Sequence, residues 1–472
     1  MPAHLFCAIE EKETISFMEA VKENKMGSAP MLRLILSMSL PAMFSMLVQA
    51  LYNIVDSYFV SKLGQDALTA VSLAFPVQML LIAFAVGTGI GINSLVSRRL
   101  GEKRQEEADR AASHSISLAL VTSLVFALLG ILFIRPFLES FHPSAGVLEM
   151  SCQYTSIVTI FAVGCFMEIN LEKTLQATGN MIFPMLFQLS GAVTNIILDP
   201  IMIFGLFGFP KMGISGAAVA TVIGQLVSMV FSLIVVFVKN HEVKITLRGA
   251  WFHWDTVKEI YKVGIPSIIM QAVGAFLNTL LNMILIGFSE AAVSVLGVYY
   301  KLQSFVFMPV FGLTHGLMPI MGFNYGARNK KRIYSALKIG FAIALLIMAA
   351  GTFLFEVFPA QLLGIFNASE EMLQIGVIAF RIIALCFLPA AIGIISSTLF
   401  QAIGLGTNSL VISLLRQLVL ILPAAYLFSL IGLNFFWIAF PLAEAVALVV
   451  AVIMLARVFK TKINTLDSTA KK

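Results

Sequence analysis

Apolar residues along this 472-residue chain run in unbroken blocks separated by short polar connections, instead of recurring in stripes or alternating. A helix needs about 20 apolar residues to cross a bilayer. Twelve stretches qualify, near 34–60, 68–96, 112–134, 150–172, 182–207, 214–238, 262–288, 292–320, 335–356, 373–400, 408–430 and 433–456. The pattern predicts an all-α integral membrane protein with 12 transmembrane helices, and an even count returns the C-terminus to the side where the chain began.

The chain also repeats itself at one constant offset, the spacing that separates Pro41 from Pro266. At that spacing Asn53 pairs with Asn278, Gly101 with Gly326, Ala111 with Ala336, Phe141 with Phe366, Ser144 with Ser369, and Gln176, Ala177 and Gly179 with Gln401, Ala402 and Gly404. Six spans separate equivalent positions, so the halves share one orientation and are expected as two six-helix lobes related by a pseudo-twofold axis along the membrane normal, which is transporter organisation. The predicted divisions are an N-terminal tail (1–32), an N-lobe (33–238), a linker (239–261), a C-lobe (262–458) and a C-terminal tail (459–472).

Charge places these spans. The tails and even-numbered loops hold Lys12, Lys22, Lys25, Arg33, Arg98, Arg99, Lys103, Arg104, Arg110, Arg248 and Arg328 to Arg332, whereas the odd-numbered loops hold only Lys62, Arg135 and Lys211. The positive-inside rule then puts both termini in the cytoplasm, and the expected location is a bacterial-type plasma membrane, as a multi-pass protein. The linker, with Trp251 and Trp254 among basic residues, reads as an interfacial anchor, with a regulatory role as the alternative.

Composition closes off other classes. Apolar types make up 59% and charged types 12% of the residues, with a mean hydropathy of +0.94, against roughly 45 to 50% and about 25% in soluble domains. The net charge of +6 lies in connections and not on one face, so nucleic acid is not a partner. Cys7, Cys152, Cys165 and Cys386 form no C-x-x-C pair, and residues 1–30 do not have the organisation of a signal peptide. No P-loop or other cofactor motif occurs; AVGTGIGINS follows no strand, and its Gly87 and Gly91 have the small-xxx-small spacing of packed membrane helices. Energy for work must then come from an ion gradient.

A carboxylate in hydrocarbon costs at least roughly 2.5 to 3.5 kcal/mol on insertion scales, so each needs a cavity, a partner or a proton. Asp56 lies in the first span, six residues and therefore about 9 Å before Lys62. Asp199 lies in the fifth. Asn53 stands three residues before Asp56 and Asn195 four before Asp199, so each amide shares a helix face with its carboxylate. Pro200 is expected to push Asp199 out of helical geometry and to free carbonyls near residue 196 or bend the helix. Oxygens so arranged suit a sodium ion or a proton; a helix-cap or packing role at a kink is the alternative. The repeat counterparts are Leu281 and Ala424, so the ionisable site belongs to the N-lobe alone.

The C-lobe carries Lys301, Arg381, Arg416 and Glu444 within its spans. Lys301, Arg381 and Glu444 lie roughly 12 to 16 Å from the outer ends, so Glu444 is expected to pair with Lys301 or Arg381, as a structural ion pair or a gating element. Glu168 and Glu172 beside Lys173 read as a solvated cluster or a functional one, and His315 reads as a packed core residue. Gln49, Tyr52, Gln78, Gln188, Gln271 and Tyr299, with the abundant Met and Phe, are the candidate lining of a cavity for loosely specified amphipathic ligands.

NIVDSYFVSKLG, LQATGNMIFP, TNIILDP, GISGAAVATVIGQ and PVFGLTHGLMPIMGFNYGARNKKR together resemble the multidrug and toxic compound extrusion (MATE) family over about residues 33–458. The resemblance implies a V-shaped pair of lobes, alternating access, and export of cationic or amphipathic compounds driven by inward flow of sodium ions or protons. In the DinF-like branch, which the chain resembles most, the matching cation-site positions are Asp56, Asn195, Asp199 and Thr221. Two features depart from the family: the seventh and tenth spans have no acid beyond the helix-end Glu370 and Glu371, and Gln176 stands where many relatives have arginine. The expectation is therefore an antiporter coupled to H+ or Na+, without cofactor, obligate protein partner or metal other than a transported sodium ion, and in contact with membrane lipid. A lipid or lipid-linked oligosaccharide flippase on a related scaffold is the alternative, kept by Lys301 and Arg381. A membrane-embedded enzyme is the distant one.

Overall fold

The computed structural model describes residues 24–239, 242–246 and 251–466, so Cys7, Lys12, Lys22 and Arg248 lie outside the described residues. Among the described residues there is no strand. A single turn, Lys25–Ser28, leads into α1 (Met31–Ser61), followed by α2 (Gln65–Gly101), α3 (Gln105–Glu139), α4 (Ala145–Ile160), α5 (Val163–Ala177), α6 (Ile182–Phe204) and α7 (Ile214–Val238). The second half runs α8 (Trp254–Leu285), α9 (Glu290–Gly326), α10 (Lys330–Val357), α11 (Glu370–Ala384), α12 (Phe387–Ala402), α13 (Gly406–Ser429) and α14 (Leu433–Ile463).

Among the described residues ten helices are long and apolar enough to span a bilayer, and the pairs α4 with α5 and α11 with α12, each bent by 46°, bring the number to twelve when each pair is one span. The fourth and tenth spans are thus broken helices, which the hydropathy pattern had read as continuous. The seventh span, α8, begins at Trp254 and so takes in the last residues of the expected linker. Leu120, Leu124, Leu128 and Ile131 form an outward ridge on α3. Such a ridge is stable only where hydrocarbon is the solvent.

The repeat is written into the backbone. Lys103 and Arg328 have φ of 61° and 54°, His142 and Asn367 49° and 51°, and Gly179 and Gly404 86° and 83°. Each of these pairs stands at the repeat offset. Ser144 and Ser369, also counterparts, cap α4 and α11 by accepting from the amides of Val147 and Met372.

The lobes meet through α2 against α8 and α1 against α9. A β-carbon on Gly101 would collide with the carbonyl of Phe323, and one on Gly326 with that of Arg98. Those two contacts are images of each other under the repeat. Gly87 and Gly91 admit the α8 backbone at Ile268 and Ile260, while Gly312 and Gly316 admit α1 at Met43 and Ser39. Small residues let membrane helices approach to backbone distance. All these contacts lie in the half of the bundle that carries Arg98, Arg99, Lys103 and Arg328, here called the basic end.

Candidate functional site: an acidic pair in the N-lobe

Two close approaches build the site. Gly191 and Gly224 face each other, and a β-carbon on either would lie 3.1 or 2.8 Å from the backbone oxygen of the other. Ser228 adds a hydrogen bond of 2.6 Å to the carbonyl of Phe187. With α6 and α7 drawn together, Asn195 Nδ2 donates to Asp199 Oδ1 and to Thr221 Oγ1, at 3.3 Å each. Asp199, Asn195 and Thr221 are buried, at 0%, 2% and 6% exposure.

From α1, the Asp56 carboxyl lies beside that of Asp199, and the Tyr52 side chain lies beside Thr221. Asp56 Oδ1, Asn195 Oδ1 and Asp199 Oδ2 are buried and have no hydrogen-bond partner among the described residues. Two adjacent carboxylates repel in a low dielectric unless a proton or a cation is shared between them. The residues present, three unpartnered oxygens with two hydroxyls beside them, fit either occupant.

Other expectations shift. Asp199 stays in helical geometry, because α6 runs unbroken through Pro200 to Phe204 and ends at Gly205 with φ 74°. Pro200 lies in the last turns, where losing one amide donor does not break the helix. Asn53 is exposed; three residues turn a helix by about 300°, which leaves it to one side of Asp56. Tyr52 belongs with the acidic pair and not with a separate cavity. Gln78 Nε2 donates to the Tyr154 hydroxyl at 3.0 Å, and buried Tyr154, which sequence reasoning missed, stands near both carboxyls. Its one signal was a lone tyrosine inside the apolar fourth span.

Gln49 and Gln188 line a small cavity with Met46, Met185, Glu172 and His315, where α1, α5, α6 and α9 converge. Glu172 there is no solvated charge: Lys173 Nζ lies 3.0 Å from its Oε1, Gln176 donates to the same oxygen at 2.5 Å, and Gln188 donates to Oε2 at 2.9 Å. Glu168, Glu172 and Lys173 are all buried, at 8%, 2% and 5% exposure. Gly89 makes the room, since a β-carbon there would strike the Lys173 side chain. His315 borders the cavity and is not enclosed in the core. Gln271, exposed on α8, is not among the cavity's lining residues.

In the C-lobe, Glu444 pairs with Arg416 at 3.3 Å, and not with Lys301 or Arg381. Depth was the wrong criterion, because azimuth decides which side chains meet. Arg416 sits where α13 widens into a π-helical stretch, Leu415–Ile421, against α14. Exposed Lys301 instead lies 5.8 Å over the Phe366 ring, and exposed Arg381 donates to the carbonyl of Glu356 at 3.2 Å. Tyr299 is core, 2% exposed, with edge contacts to Phe355, Phe380 and Phe440.

The MatE family model matches this chain twice, over residues 41–201 and 266–427. The chain belongs to the MatE family. Members of this multidrug-efflux family are transporters and not enzymes. Its curated relatives include the FAD transporter of Shewanella oneidensis, 27% identical over 88% of this chain and 92% of that protein. Another is the multidrug export protein MepA of Staphylococcus aureus, 25% identical over 86% and 89%. Among solved structures, an outward-facing multidrug resistance MATE transporter matches with a TM-score of 0.88 at 29% identity, covering 95% of this chain and 99% of that one. A Pyrococcus furiosus transporter described by the reverse polarity of its binding pocket matches at 0.87, with the same identity and coverage. The two family matches begin at Pro41 and Pro266, which are themselves a counterpart pair of the internal repeat.

Proposed function

We propose that this MatE transporter is an antiporter in which inward movement of H+ or Na+ through the Asp56 and Asp199 pair drives export of amphipathic compounds by alternating access, with both termini cytoplasmic. The observation that carries the reading is the pair itself: two carboxyls side by side, three unpartnered oxygens, and no acid at the counterpart positions Leu281 and Ala424. A cation bound on one lobe favours one arrangement of the bundle only through differential binding to it.

The cavity of Gln49 and Gln188 lies seven and eleven residues along α1 and α6 from the acidic pair, about 10 and 16 Å nearer the basic end. Its wall combines soft Met side chains with amides and a carboxylate already balanced by Lys173. Such a wall offers soft apolar contact and hydrogen bonds to one part of an amphipathic compound, and the relatives named FAD transporter and multidrug export protein support the class. Lys301 and Arg381, on which the flippase alternative rested, are not among the residues that line this cavity. Efflux of a fluorescent dye from proteoliposomes, with sodium and pH gradients imposed one at a time, tests the reading. Dye movement indifferent to both gradients would overturn it.

A further inference from the structure

Two contacts across the seam at the basic end are made by counterpart residues of the two second helices. On one side Arg99, in the last turn of α2, reaches across to Glu259 near the start of α8, its Nη2 lying 2.9 and 2.8 Å from the two carboxylate oxygens. On the other side Asn324, which is the repeat counterpart of Arg99, donates from Nδ2 to the carbonyl oxygen of Met26 at 2.9 Å, in the turn that leads into α1. Since α1 and α8 are themselves counterparts, the second helix of each lobe holds the leading end of the other lobe's first helix.

The two contacts differ in kind. Arg99 is also paired within its own lobe to Glu102 at 2.7 Å and Glu107 at 3.0 Å. The Asn324 side uses neutral acceptors, with Arg332 Nη2 donating to the carbonyls of Met26 and Ala29 at 3.1 and 2.8 Å. Met26 is fully buried, and Gly179 of the N-lobe sits so close that a β-carbon would press on Met26 Cγ and Lys25 Cε at 3.3 and 3.1 Å. The Asn24 side chain is hydrogen-bonded to Glu242 of the linker. The leading turn is therefore a strap fastened to both lobes.

We propose that these contacts are a pair of latches, one ionic (Arg99 with Glu259) and one neutral (Asn324 with the Met26 strap), which together hold the basic end shut. The inference rests on the alternating-access reading: both latches must release for this end to open. Arg99, Glu259 and Asn324 are then positioning residues that set the population of the closed form without touching the transported compound. Because a partly exposed ion pair is screened by salt and the hydrogen bond from the Asn324 amide to a carbonyl is not, loss of Glu259 removes a salt response that loss of Asn324 leaves in place.

The test uses full-length protein in lipid, with the four cysteines replaced by serine and spin labels at Lys103→Cys and Arg328→Cys. These exposed counterparts stand on the two loops at the basic end. Pulsed electron resonance reads the distance between them. Glu259→Gln is expected to raise the open, long-distance population about two- to fivefold, the scale of a partly exposed pair, and Glu259→Asp to restore the parent distribution. High salt should open the parent similarly and add nothing in Glu259→Gln, whereas Asn324→Ala should open the end and keep the salt response. A salt response unchanged in Glu259→Gln, or distributions in both variants that superimpose on the parent, would overturn the latches. Dye efflux by the unlabelled parent tests the transport reading separately, so a failure of one is distinguishable from a failure of the other.

Discussion

The hydroxyl oxygen of Ser97 occupies the space that a β-carbon on Gly322 would need, and the two residues are counterparts under the internal repeat. A position that meets its own image lies on the axis relating the halves. The neighbouring images, Gly101 against Phe323 and Gly326 against Arg98, flank that axis at backbone contact.

A methyl group at this seam has nowhere to go. Gly101→Ala and Gly326→Ala are each expected to destabilise the assembled lobes by about 1–3 kcal/mol, the scale of overpacking. Gly393→Ala, with no heavy atom within 4 Å of the added carbon, serves as the control. Thermal unfolding midpoints in one detergent compare the three, and equal midpoints would contradict a close-packed axis.

Asp56→Asn and Asp199→Asn should each remove the dependence of dye efflux on the imposed cation gradient, a loss of roughly 5- to 150-fold in coupling. The double variant is expected to be no worse than either single one, because a shared occupant is lost only once. Additive losses would show two separate sites.

Glu444→Gln leaves the Arg416 guanidinium without its partner. The pair is only partly enclosed, at 27% and 9% side-chain exposure, so a cost of about 1–3 kcal/mol is expected, below the roughly 3–5 kcal/mol for a fully buried pair. Replacing both by Met and Leu should recover most of it. Lys301→Ala and Arg381→Ala should change the unfolding midpoint little, and a large effect of either would restore the pairing read from depth.

Gln188→Ala removes a donor to Glu172 and an oxygen from the cavity wall. Its expected signature is a two- to tenfold rise in the KM for hydrogen-bonding amphipaths, about the 0.5–1.5 kcal/mol of one hydrogen bond, with the maximal rate and the cation dependence unchanged. A fall in rate at constant KM would place Gln188 outside the binding site.

Orientation is checked by single cysteines in the cysteine-free protein. Lys62→Cys should react with an impermeant thiol reagent added outside intact cells, and Lys103→Cys only after the membrane is opened. The reverse result would invert the positive-inside assignment.

The sequence by itself determined the span count, the halves and the one-sided acidity, because hydrocarbon imposes length and polarity rules that act along the chain. The constant offset of the repeat also foretold that positions such as Gly101 and Gly326 would behave alike. Hydropathy marked Asp56, Asn195 and Asp199, since a polar group in an apolar block stands out without any neighbour being known. Partners were another matter. That Tyr154 sits beside the acidic pair, that Glu444 chooses Arg416 and that Tyr299 is core depend on rotation about helix axes and on how far glycines such as Gly191 and Gly224 let two helices close. Those are properties of packed surfaces, and no one-dimensional pattern of hydropathy contains them.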